Sequence, residues 1–307
     1  MWVNYINGNY KVLLNLNNGT KIRYNKENTL IPNRPESIDV KITNQCEHMC
    51  LFCHESSIPS GKQASYESLE KFAKSLPPYI EISVGGGNLM LDFKHTQFFL
   101  EKLKEANAIP SITIKQEDFI KYSDIIEEWY LNNLIYGVGV SLSNPRDVEL
   151  YKAMSYIPTA VIHVIAGIFD ETDCAILSKR GYKLLILGFK NFRRGRSYYN
   201  GFKQKIDKNI QWLHDNINDV INNFSVVAFD NLAIKQLYIK ELLTEEQWNS
   251  FYMGDDGIYT FYVDLVEKTY ARNSTAIARF GIKDFNIKQM FLDISKIKEV
   301  GDMYDSN

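Results

Sequence analysis

SIDVKITNQCEHMCLFCHESS, residues 37–57, runs from a β-branched stretch straight into a loop that gathers Cys46, Cys50 and Cys53 within eight residues. Three thiols so placed can hold a metal, cross-link or pack. A Cys46–Cys50 disulfide would leave Cys53 over, and the fourth cysteine, Cys174, is far along the chain. The N-terminus MWVNYINGNYK lacks the apolar stretch of a signal peptide, and no run approaches the roughly 18 apolar residues that cross a bilayer. The expected compartment is the cytoplasm, with no membrane partner. Thiols stay reduced there, and a tight cysteine cluster binds metal or does chemistry more often than it forms disulfides.

Outward from this stretch the chain alternates strand-like and helix-like segments. Short apolar runs recur at 37–43 (SIDVKIT), 79–85, 110–115, 134–142, 159–167 and 182–189, with amphipathic segments such as 65–76 and 95–108 between them. This rhythm predicts parallel βαβ units whose strands are buried on both faces. Six units can be counted, so the fold class is α/β, a barrel or part of one. Before it, residues 1–25 alternate apolar and polar and carry Asn7-Gly8 and Asn18-Gly19, which predicts an antiparallel meander. Pro32 and Pro35 then mark a linker. After residue 190 come a basic stretch, a helical pattern at 209–224, a seventh strand at 225–230, a Thr-capped helix at 244–253 and a hairpin at 257–272.

Composition narrows the function. At 307 residues and 45% hydrophobic the chain can bury a large core. Lys+Arg number 35 against Asp+Glu 37, so no global field attracts nucleic acid.

The cysteine spacing is Cys-x3-Cys-x2-Cys. Three thiolates can hold three irons of a [4Fe–4S] cluster and leave the fourth iron open. A structural zinc loop recruiting His48 or His54, or reduced packing cysteines, are the competing readings. The motif resembles that of the radical S-adenosylmethionine (SAM) enzymes, in which it sits on the loop after strand one with an aromatic before the third cysteine, here Phe52. The resemblance covers roughly residues 36–190. It implies a partial (β/α)6 TIM-like barrel over 36–200, preceded by a meander and linker (1–35) and followed by an α+β extension (201–307) that caps the substrate site. It also implies that Cys46, Cys50 and Cys53 hold one [4Fe–4S] cluster, and that SAM is cleaved to a 5′-deoxyadenosyl radical that abstracts hydrogen from a substrate.

In such a fold the chemistry gathers at the C-terminal strand ends. Strand two ends in Gly85, Gly86 and Gly87, similar to the family's SAM-contacting glycine motif, with Gly87 where an acid is common. Lys115 ends strand three, and Ser141 and Ser143 end strand four. Ile165 and Gly167 on strand five resemble the adenine-contacting segment, and Gly188 and Phe189 on strand six join the cofactor-binding set. Candidate catalytic or substrate-binding residues are His54, His163, Lys190, Arg193, Arg194, Arg196 and Asp230. Arginines interleaved with aromatics after residue 188 suit a carboxylate, phosphate or peptide, or a solvated loop. His163 equally suits a hydrogen-bonded core position, and Asp230 a helix cap.

Cys174 reads as a buried apolar residue. With no cysteine after it, an auxiliary cluster is excluded by counting. A peptide or protein is the first substrate expectation, and a nucleotide or other anionic metabolite the second. A flavodoxin or ferredoxin is the expected electron donor. A non-catalytic iron–sulfur or zinc binding module is the alternative of another class.

Overall fold

The computed structural model describes residues 1–27 and 29–296, so Asn28 and 297–307, which fall in the expected first and last regions, lie outside it. The chain opens with β1 (Trp2–Asn7), β2 (Tyr10–Asn15) and β3 (Lys21–Tyr24), an antiparallel sheet in the order of the sequence. Its first turn places Gly8 at φ +59, where a Cβ would lie 1.7 Å from the Ile31 carbonyl oxygen. The meander is anchored by one buried carboxylate. Glu36 accepts hydrogen bonds from the Arg23 guanidinium at 2.9–3.1 Å and from the Tyr10 hydroxyl at 2.6 Å, with Lys21 Nζ at 3.2 Å.

The core follows as β4 (Ser37–Thr43), α1 (Tyr66–Lys74), β5 (Glu81–Gly86), α2 (Phe93–Glu105), β6 (Ile109–Lys115), α3 (Gln116–Lys121), α4 (Ser123–Leu131), β7 (Gly137–Ser141), α5 (Val148–Tyr156), β8 (Ala160–Ile165), α6 (Glu171–Leu177) and β9 (Lys183–Leu187). Then come α7 (Arg194–Asp215), α8 (Ile217–Asn223), β10 (Val226–Phe229), α9 (Asn231–Gln236), α10 (Glu245–Phe251), β11 (Thr260–Asp264), β12 (Thr269–Ala271), β13 (Phe280–Gly281) and α11 (Ile287–Ser295). The larger sheet is ordered β10-β9-β8-β7-β6-β5-β4-β11-β12-β13. Strands β4 to β10 are parallel in sequence order, and β11 joins them parallel on the far side of β4. The expected hairpin is β11–β12, paired antiparallel from Asp264–Thr269 outward. Among the described residues no helix is long and apolar enough to cross a membrane.

Right-handed crossovers along such an ordered run place every connecting helix on the same side of the sheet. That side is dry. Ile38, Val40, Ile42, Ile82, Val84, Ile112, Ile114, Val138, Val140, Ile162, Val164, Leu184 and Ile186 pack there with helix residues such as Phe72, Phe99, Phe119, Trp129 and Leu213. The opposite side differs from the expectation of strands buried on both faces. It carries the alternate residues, including Asp39, Lys41, Ser83, Ser111, Thr113, Lys115, Ser141 and His163, and no connecting helix covers it. The period of two within SIDVKIT, apolar under the helices and polar opposite, is what leaves this second face available for chemistry.

Candidate functional site

The cysteine loop leaves the C-terminal end of β4 and is tied down before it returns. Gln45 N–H donates to Thr43 Oγ1 (3.0 Å), Cys46 N–H to the Ile58 carbonyl (3.0 Å), Ile58 N–H to that of Asn44 (3.2 Å) and Asn44 N–H to that of Lys62 (2.7 Å). Within it, Cys53 N–H donates to the Cys50 carbonyl and Ser56 N–H to the Cys53 carbonyl, both at 3.2 Å. Cys46, Cys50 and Cys53 are half-buried and none is in a disulfide. Burial pushes the Cys50 thiol up in pKa, the Lys115 ammonium lowers it, and Cys53 and Cys46 raise it again, so the three thiols share one electrostatic neighbourhood with one cation. Cys174 is buried in α6, as expected.

At the end of β5 the three glycines divide. Gly86 has φ +125 and a Cβ there would lie 2.4 Å from the Thr43 carbonyl oxygen; one at Gly87 would lie 2.1 Å from that of Gln45. These two let β5 close against the cysteine loop, through Gly87 N–H to Thr43 O (2.8 Å) and Asn88 N–H to Gln45 O (2.7 Å). Only Gly85 opens onto free space. Lys115 ends β6 with Glu117 at 3.2 Å. Ser141 lies on the open face, in register with Lys115 on one side and His163 on the other. The Ser143 hydroxyl donates to Glu117 (3.2 Å). The sequence did not reveal the role of Gln116, whose buried side chain accepts from Ser143 and Asn144 N–H (both 2.9 Å) and donates to the Asn144 carbonyl (2.9 Å), clamping the ends of β6 and β7 together.

His163 and Ile165 both lie on the open face of β8. The imidazole rests on Gly139, where a Cβ would lie 2.0 Å from Cε1. Its Nδ1 is buried without a partner, and burial lowers its pKa to about 4, so the ring is neutral. Gly167 faces α7 instead, and its carbonyl accepts from Asn209 Nδ2 (3.1 Å). Gly188 N–H donates to Asp230 Oδ1 (2.8 Å), and Phe189 exchanges two hydrogen bonds with Gln236. Asp230 caps α9, accepting from Ala233 N–H at 2.7 Å.

The basic stretch is not a free loop. Arg194 starts α7, a 22-residue helix kinked at Phe202. Arg193 Nη1 donates to the Glu55 carbonyl (2.8 Å) and Arg194 Nη2 to that of Ser57. Phe52 meets Tyr198 edge-on at 5.7 Å, and Tyr198 stacks on Phe189. An aromatic contact just before Cys53 and two arginines just after it thus hold this part of the loop. Arg196 also has partners.

No protein-family model and no curated protein sequence matches the chain. Solved structures do. The structure of native anSMEcpe with bound AdoMet superposes with a TM-score of 0.56 at 10% identity, covering 84% of this chain and 80% of that one. SuiB of Streptococcus suis gives 0.55 at 11% identity, covering 88% and 81%. Both are radical SAM enzymes. The chain has the radical SAM fold.

Across the open face of this radical SAM fold lies a charged interior. Asp39 lies on this open face of β4 with exposed surface. Burial raises its pKa, the Lys190 ammonium opposes this, and Asp256 and Asp230 reinforce it. Lys190 Nζ donates to Ser274 Oγ (3.0 Å) and lies 3.4 Å from Nε2 of His54, a ring that burial and Lys190 hold neutral, with pKa lowered to about 4. Ser274 and Asp256 come from the C-terminal region, so residues far apart in sequence meet here. Asp256 falls in the Asp255-Asp256-Gly257 segment that the sequence reads as a turn or a substrate-facing lid; Asp39 was not singled out, and an acid alternating with Ile38 and Val40 in a buried strand is the signal that could have found it.

Proposed function

We propose that the chain is a radical SAM enzyme with one [4Fe–4S] cluster held by Cys46, Cys50 and Cys53, and that its parallel strands curl into a partial barrel around the open face. The observation that carries this reading is the donor set. Three half-buried thiols lie on one loop beside Lys115, while both histidines of that loop have other partners, His48 in Asp118 and His54 in Glu55, Lys190 and Ser274. Three sulfurs without a fourth ligand suit a cluster with an open iron and disfavour structural zinc. When bound, the cluster supplies the electron that cleaves SAM to methionine and a 5′-deoxyadenosyl radical, which takes hydrogen from the substrate.

The chain's own groups orient and exclude. Gly85 leaves the end of β5 open for close approach of SAM, Ser141 and Ile165 offer a hydroxyl and an apolar surface on the same face, and Phe52 with Tyr198 walls off the α7 side. The bound AdoMet of the first neighbour supports this cofactor. The substrate read here is a peptide or protein: Arg193 and Arg194 already serve loop carbonyls, which weakens the case for a nucleotide or other anionic metabolite. A flavodoxin or ferredoxin in a reducing cytoplasm would supply the electron.

Anaerobic reconstitution, dithionite reduction and assay of 5′-deoxyadenosine test the reading. Iron–sulfur absorbance with SAM-dependent product supports it. Bound metal without product above a Cys50→Ala control would favour the non-catalytic binding module.

A further inference from the structure

His48 is the middle of the three residues between Cys46 and Cys50. Its Nε2 is hydrogen-bonded to Asp118 Oδ2. Asp118 is 5% exposed and sits in the first turn of α3, whose N-terminus has no side-chain cap, and its carboxylate is turned to His48. Asn88, the residue after the three glycines, completes the attachment. Its Nδ2 lies 3.4 Å from His48 Nε2 and donates to Glu47 Oε1 (3.2 Å), while its Oδ1 accepts from Met90 N–H (2.9 Å).

The arc from Cys46 to Cys50 leaves β4 but is fastened to the ends of β5 and β6. Without those contacts Glu47, His48 and Met49 would be a half-exposed segment free to sample many conformations, and Met49 is held at φ +46. A carboxylate and an imidazole that hydrogen-bond while largely buried make a strong, directional tie. We infer that Asp118 is a positioning residue: through His48 it holds the Cys46–Cys50 arc in one conformation before the iron–sulfur group arrives. This rests on the radical SAM reading for its purpose, but the tie itself can be measured without a cluster.

The experiment compares wild type, Asp118→Ala, Asp118→Asn and His48→Phe as full-length chains. Amide hydrogen exchange of peptides covering 44–57 is followed in cluster-free protein, with the unfolding temperature as control for folding. Iron and sulfide per chain, and the electron paramagnetic resonance spectrum of the dithionite-reduced protein with and without SAM, are then recorded after anaerobic reconstitution. Asp118→Ala and His48→Phe are expected to exchange at least tenfold faster within 46–50, to lose about half the iron or more, and to weaken the SAM-induced spectral change. Asp118→Asn keeps an oxygen that accepts from His48 and is expected to behave as wild type. Wild-type exchange, iron content and spectra in both Asp118→Ala and His48→Phe would overturn the inference. If wild type itself takes up no iron–sulfur, the radical SAM reading fails while the exchange data still decide whether Asp118 holds the arc.

Discussion

Lys41 Nζ lies 2.8 Å from Glu55 Oε2, and the two side chains are almost wholly buried. The same ammonium lies 3.1 Å from Asp264 on β11, and the Tyr262 hydroxyl donates to Glu55 at 3.3 Å. Burial alone would raise the Glu55 pKa; hydrogen bonding to His54 and the charge of Lys41 outweigh it and hold the carboxyl well below the usual range. One lysine therefore bridges a carboxylate of the cysteine loop and one of the last parallel strand, with Arg193 Nη1 3.6 Å from the same Glu55 oxygen as a second cation. Lys41→Met is expected to leave buried Asp264 without this cation and Glu55 with Arg193 at 3.6 Å, and to cost about 3–5 kcal/mol. Guanidinium unfolding checks this; a loss below about 1 kcal/mol would show that water reaches the pair.

The glycines at the end of β5 are expected to separate structure from ligand binding. Gly86→Ala and Gly87→Ala press a Cβ onto loop carbonyls, so both should lower the unfolding temperature and impair iron uptake. Gly85→Ala meets nothing within 4 Å and should fold and load iron normally. Its SAM affinity should fall, read by titrating SAM into the reconstituted protein.

Gly139→Ala should displace the imidazole of His163, because the new Cβ would sit 2.0 Å from Cε1. A rigid strand backbone meets a ring already seated among packed neighbours, so relief is costly, on the order of 1–3 kcal/mol. The companion His163→Ala should restore much of the stability lost by Gly139→Ala, which a double-mutant cycle measures.

His163 also predicts a pH dependence. Its folded pKa, about 4, lies below the ordinary histidine value of 6.5, so the unfolded chain binds the proton more readily. Its contribution is fully present above pH 6.5 and lost as pH falls toward 4. At pH 5 wild type should lose about 2 kcal/mol more than His163→Gln, relative to pH 7.5. Urea unfolding at the two pH values compares them, and equal losses would mean that the ring takes up its proton in the native state.

Local chemistry was readable from the residues. Asn7-Gly8 marks the first hairpin, Thr244 caps α10 with a full capping box through Gln247, and the seven core strands fall within a few residues of the apolar runs that predict them. Long-range partnerships were not. Arg193-Arg194-Gly195 reads as a basic loop, because its helical start depends on packing: a Cβ at Gly195 would lie 2.2 Å from the Lys190 carbonyl oxygen and 3.4 Å from that of Phe52. His48 and Asp118 are polar residues seventy positions apart, with no spacing that ties them together. Asp39 likewise feels the charge of Asp256 through topology rather than motif.

The pairing of β4 with β11 also governs how the protein is made. Ile38 lies opposite Phe261, so one side of the first core strand has no partner until residues 260–264 have been synthesised. At ribosomal rates of roughly 5–20 residues per second that edge stays open for roughly ten to forty seconds. Its unpaired amides and carbonyls are a template for other chains. Non-local pairing of this kind also slows the final folding step. A nascent chain stalled before residue 260 carries the cysteine loop on an uncovered strand, so slower growth at low temperature with abundant chaperones should raise the yield of soluble protein.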